Sequence, residues 1–168
     1  MQKYPLEQLV LIKQRKLDEA ERMLKEKKEA LVKEEEKLAT VEAARNKVKQ
    51  HKIAKLTQLR EELDAGTTTD KIQQMKQYLN IVNEELAQKE IKVTDQKKKV
   101  DDAKKQVDLA RAQLLKRQQD VEKLKMHRKE WEEQMRIEME KEEAVEVDEM
   151  GSVRHVRKQL KNKDNKHG

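Results

Sequence analysis

Eight residues spaced seven apart, Ile72, Leu79, Leu86, Val93, Val100, Val107, Leu114 and Val121, are all apolar. The line continues through Arg128 to Met135. A companion line, Met75, Val82, Lys89, Gln96, Ala103, Ala110, Arg117, Leu124 and Trp131, divides each interval into steps of three and four. Both lines fall on one stripe of an α-helix, the seam of a coiled coil. A strict seven-residue period also implies left-handed supercoiling, because the stripe of a straight helix would drift away from its partner.

The N-terminal half repeats the pattern less cleanly. Val10, Leu17, Leu24, Leu31 and Leu38 form one line; Leu6, Lys13, Ala20, Lys27, Glu34, Val41 and Val48 form the other. The charged companions weaken this seam, although long stems can cover apolar surface while their heads stay in water. Near His51 the phase reads as shifting, with the stripe resuming at Leu56, Leu59 and Leu63.

Between the two halves lies "DAGTTTD" at 64–70. Gly66 suits the left-handed position that ends a helix. Three consecutive threonines are poor helix interior, and Thr68, Thr69 or Asp70 can cap the next helix. The chain is therefore expected to turn back here. The fold class is all-α, a long two-helix antiparallel coiled-coil hairpin over 1–144, with helices at 5–63 and 70–144, a turn at 64–69 and a flexible basic tail at 145–168. A turn centred near residue 67 sets Leu63 against Ile72, Leu56 against Leu79, Val41 against Val93, Glu34 in the Val100 layer and Val10 against Leu124. It brings Tyr4 to Trp131 at the hairpin base. In the competing arrangement, a parallel dimer of rods, Lys13, Lys27 and Glu34 would each face their own copies, so a monomeric hairpin is favoured.

Composition agrees with a rod. Charged residues make up 44% of the 168, aromatics 2%, and the chain has three glycines, one proline and no phenylalanine, too few bulky and turn residues for a compact core. It has no cysteine, which excludes disulfides and thiolate chemistry. The opening "MQKYPLEQLVLIKQRK" lacks a signal-peptide core, and no apolar run approaches membrane-spanning length, so a soluble cytoplasmic protein is expected.

Charge is unevenly placed. Residues 132–149 carry nine acids and two bases, and residues 151–168 carry six Lys or Arg and one acid. The basic end could touch phosphates, but no aromatic residues interleave with it to stack bases, and it has no large apolar anchors for a membrane surface. Specific nucleic-acid binding is not expected. His51, His127, His155 and His167 are isolated, without a His or Cys on an adjacent turn, so no metal site is expected. Carboxylate pairs such as Glu84–Glu85 sit on solvated faces without a cleft, and no phosphate-binding glycine loop is present. The sequence offers no catalytic residues and no cofactor, and a two-helix rod works by contact.

The segments "YPLEQLVLIKQRKLDEAERML" at 4–24, "LDAGTTTDKI" at 63–72 and "LARAQLLKRQQDVEKLKMHRKEWEEQM" at 109–135 resemble the central stalk proteins of type III secretion, the YscO family and its flagellar counterpart. The pairing of "YPLEQLVLIKQRK" with "KLKMHRKEW" is most similar to the chlamydial version. The resemblance implies a non-enzymatic stalk, similar to the rotor shaft of rotary ATPases, that enters the hexameric export ATPase and contacts the export gate. Some members also bind substrate chaperones. Carried over by region, the ATPase would be engaged through Tyr4, Leu6, Leu9, Lys13, Arg15 and Lys16 on the first helix. The second would contribute Arg117, Lys123, Lys125, Arg128, Lys129 and Trp131. The acidic overhang at 138–149 is longer than such a stalk needs. The alternative is a generic scaffold or a chaperone-binding coiled coil with no ATPase role.

Overall fold

The structure is a computed structural model that describes residues 2–166. It is an all-α hairpin of two helices, α1 (Glu7–Ala65) and α2 (Thr69–Asp164). The described residues divide into two compact units: a middle unit of residues 18–116, and a terminal unit in which residues 2–17 join 117–166.

The middle unit contains the turn. Gly66 takes φ = 77°, the only positive φ among the described residues, and its amide donates to the Leu63 carbonyl. A side chain at this φ would crowd the backbone, which is why glycine ends α1 here. The Thr68 carbonyl accepts the first bond of α2 from the Ile72 amide, and Asp70 places negative charge at the positive end of the helix dipole.

The core of this unit is the seam expected from the period. Leu79, Val82, Val93, Val100 and Val107 are buried, and Met75, Leu86, Lys89, Ala103 and Ala110 are half-buried. A fully buried valine contributes about 1.5–3 kcal/mol by area, so these few layers carry much of the stability. Gln96 is the buried polar member. Its Nε2 donates to the Glu34 carbonyl at 3.0 Å and also to the Glu34 carboxylate. Glu34 thus meets Gln96, one turn short of the expected Val100 layer. The amide can reach both acceptors of Glu34, whereas a valine side chain offers no donor.

The phase shift near His51 does not occur. Val41, Arg45, Val48, Lys52, Lys55, Leu59 and Glu62 keep the three–four rhythm, each buried or half-buried. Leu63, expected against Ile72, is instead 48% exposed, and Ile53 is 55% exposed. Lysine stems hold the seam positions where aliphatic residues fall out of phase. His51 and Tyr78 meet beside the seam, with Nε2 and the hydroxyl 2.7 Å apart, and Lys55 Nζ lies 5.4 Å from the Tyr78 ring centre. Arg45 reaches Glu90 at 3.6 Å.

In the terminal unit Pro5 occupies a tight turn closed by the Glu7 amide on the Tyr4 carbonyl, a position that suits its fixed φ. The turn places Tyr4, 5% exposed, at the base of the hairpin. Val121 is buried, and Leu124, Trp131 and Met135 are half-buried. From Arg136 to Lys166 every residue is exposed.

The second helix does not end at 144. It continues through Val145, Val147 and Gly151 to Asp164, where a loosened tail was expected. A single helical glycine costs only about 1 kcal/mol relative to alanine, and Lys161 and Lys163 in the last turn complement the dipole. His167 lies outside the described residues.

Candidate partner-binding surface

The hairpin base is closed by an aromatic cluster. The Tyr4 and Trp131 rings meet edge to face with centroids 5.4 Å apart, as the turn position requires. Tyr4 also lies 5.7 Å from the His127 ring, and its hydroxyl is hydrogen-bonded to His127 Nδ1. The Arg128 guanidinium sits over the other side of this cluster, 5.7 Å from the Tyr4 ring centre. It also pairs with Glu7 and Glu132, each at 3.2 Å. A shallow groove of about 660 Å³ runs across this end, bounded by Lys3, Glu7, Lys129, Trp131 and Arg136 among others.

The twelve residues singled out from the sequence therefore separate by role. Tyr4 and Trp131 face inward and join the N-terminal segment to α2, and Leu6 is half-buried. Lys13 and Arg117 converge on Asp120, at 3.7 and 3.8 Å. Arg128 is held by its two carboxylates. These groups have structural partners already. Leu9, Arg15, Lys16, Lys123, Lys125 and Lys129 instead face solvent.

The exposed set is organised. Leu9, Ile12 and Lys16 follow a three–four spacing one position ahead of the seam, so they share a helical face. Lys125 and Lys129 are one turn apart on α2, and Lys123 shares a face with the exposed Met126. Both helices thus expose cations at this end, and α1 adds uncovered apolar side chains. Leu11 and Ile12, each 46% exposed, are uncovered as well and were not among the sequence candidates. Their signal was the apolar run Leu9–Ile12, too dense for a seam that takes only two residues in seven.

Among the described residues no group of three or more His, Cys, Asp or Glu could hold a metal, and no helix is long and apolar enough to cross a membrane.

A coiled-coil hairpin closed by its own side chains, with cations and apolar groups turned outward, is a protein that works by contact. Residues 1–161 match the YscO-like protein family, and the chain belongs to that family. The YscO homologue CT670 of Chlamydia trachomatis has the same fold, with a TM-score of 0.90 and 42% identity over 95% of this chain and 99% of that one. A chain from the Chlamydia pneumoniae CdsV–CdsO complex is 44% identical over 49% of this chain and 96% of its own, with a TM-score of 0.48. No protein of curated function matches. The family and the shared fold make this chain a non-enzymatic stalk or adaptor of type III secretion.

Proposed function

We propose that the chain is the central stalk of an export apparatus, and that its terminal unit docks into a hexameric export ATPase and regulates hydrolysis without performing it. The observation that supports this reading is the division of the base. One set of residues locks the N-terminal segment to α2 at 127–131, and a second set, Arg15, Lys16, Lys123, Lys125 and Lys129, stays exposed and outside any ion pair among the described residues. Such cations steer association with an acidic surface, and the exposed Leu9 and Ile12 of α1 supply apolar contact that slows dissociation.

The mechanism is mechanical and electrostatic. A ring of six similar subunits presents six similar interfaces, whereas a two-helix rod has no matching symmetry. The rod engages some subunits strongly and others weakly at any moment, and this differential binding biases ring assembly or the order in which ATP sites fire. The export gate and substrate chaperones are the further partners proposed for the same protein. Its proposed location is the cytoplasm, at the cytoplasmic face of the secretion apparatus. The hairpin closes within one chain.

The test is ATP hydrolysis by the cognate purified ATPase, with and without this protein. The charge reversal belongs at Lys123, Lys125 and Lys129, because reversing Arg128 would also break the pairs with Glu7 and Glu132. Saturable stimulation by the wild type, lost in the triple reversal, supports docking through this end. Partner binding with no effect on an assembled ring would identify a passive scaffold or chaperone-binding coiled coil instead.

A further inference from the structure

The helix past residue 135 has no partner among the described residues, yet it carries an apolar stripe. Met150, Val153 and Leu160 are 66%, 52% and 58% exposed and follow the three–four rhythm. Glu146 and Arg157 occupy the same stripe on either side of them. An isolated helix gains nothing from such a stripe in water; a second helix would bury it.

Charge identifies the second helix. Glu142, Glu146 and Glu149 precede Gly151, and Arg154, Arg157 and Lys161 follow it. Among the described residues none of these six has an ion pair. The carboxylates lie three and four residues from one another, where like charges repel. Glu146 and Arg157 are too far apart along one helix to meet. Two copies laid antiparallel about the point between Gly151 and Ser152 set the acidic block of each against the basic block of the other. Met150 of each copy then meets Val153 of the other. Glu146 faces Arg157 across the seam, a pair that occurs twice by the two-fold symmetry, and the acidic block of each copy runs alongside the basic block of the other. The shallow basic groove of about 360 Å³ around Leu160, walled by Arg154, Arg157, Lys158 and Lys161, receives the acidic stretch of the other copy.

We propose that residues 139–164 are a homodimerisation helix that pairs antiparallel with a second copy of the same segment, joining two otherwise self-contained hairpins. With only two apolar layers at the centre the dimer is weak and depends on charge, so salt dissociates it. An acidic block and a basic block of similar length, arranged head to tail, are what a two-fold antiparallel pair requires. A parallel pair would set acid on acid.

Sedimentation equilibrium of the full chain tests this, with circular dichroism to verify that each variant folds. The wild type should associate at about 0.05 M salt and dissociate at about 0.5 M, where the Debye length falls below about 5 Å. Glu146→Arg with Glu149→Arg, and separately Arg154→Glu with Arg157→Glu, should each weaken association by about tenfold or more. Mixing the two variants should restore a heterodimer, because each reversed block then faces an oppositely charged one. A wild type that stays monomeric at low salt would overturn the proposal, as would a mixture that fails to associate. Association that neither reversal disturbs would place any dimer contact elsewhere and would equally overturn it.

Discussion

Tyr4 has one of the most consequential positions in the chain, because it joins two segments separated by more than a hundred residues. Its ring packs on Trp131 and its hydroxyl bonds His127. Tyr4→Phe removes only the polar bond and should cost about 1 kcal/mol, and Trp131→Ala, which empties a half-buried site, about 2–3 kcal/mol. Thermal melting checks both, and fraying should begin at the chain ends. Glu34 gives a pH signature. Accepting from Gln96 holds its carboxyl below the ordinary value, partial burial opposes this, and Lys37 lowers it further. The unfolded chain therefore takes up this proton more readily than the folded one, so stability rises with pH through this range. The contribution is complete above the ordinary glutamate pKa, about 4.3, and is lost as pH falls through the lowered folded value. Glu34→Gln should remove this part of the acid-induced loss in stability, which melting curves on either side of pH ~4 would show. An equal acid sensitivity in the variant would contradict the assignment.

At the scale of the element, the glycines divide in sign. Gly66 sits at φ = 77°, so Gly66→Ala should destabilise the turn by about 1 kcal/mol or more. Gly151 is helical with nothing within 4 Å of an added methyl group, so Gly151→Ala should stabilise the end of α2 by about 1 kcal/mol, seen as a higher helix content and later melting. The seam of α2 was legible because its members are mostly aliphatic and their period never slips. Gly66 and its threonines marked the turn, and the turn position brought Tyr4 to Trp131. What was not legible was seam membership by charged residues. Lys52, Lys55 and Glu62 carry the phase through the region where Leu56 and Leu63 suggested a shift, because a periodicity of aliphatic residues cannot register stems of polar ones. The end of α2 was misread for a related reason. Valines and a glycine lower local propensity by amounts that a long, well-charged helix absorbs. In the candidate surface, region was legible but role was not. Arg128 and Lys129 are neighbours in sequence, yet one is held by Glu7 and Glu132 and the other is exposed, a distinction set by helical phase and by what lies across the hairpin.

For the molecule as a whole, the residues proposed for partner binding and those that close the hairpin differ, so the two can be separated by mutation. Reversing Lys123, Lys125 and Lys129 should leave melting within about 0.5 kcal/mol of wild type, as expected for exposed positions, while weakening attachment to an acidic ring by about tenfold or more. Trp131→Ala should do the opposite, lowering stability first and binding only as the base frays. The most direct measurement is the rate of ATP hydrolysis by the assembled cognate export ATPase as this protein is titrated in at fixed salt. A stalk that docks through its base predicts saturable stimulation by the wild type and its loss in the Lys123, Lys125 and Lys129 reversal. An assembled ring that hydrolyses ATP at the same rate throughout the wild-type titration would contradict it.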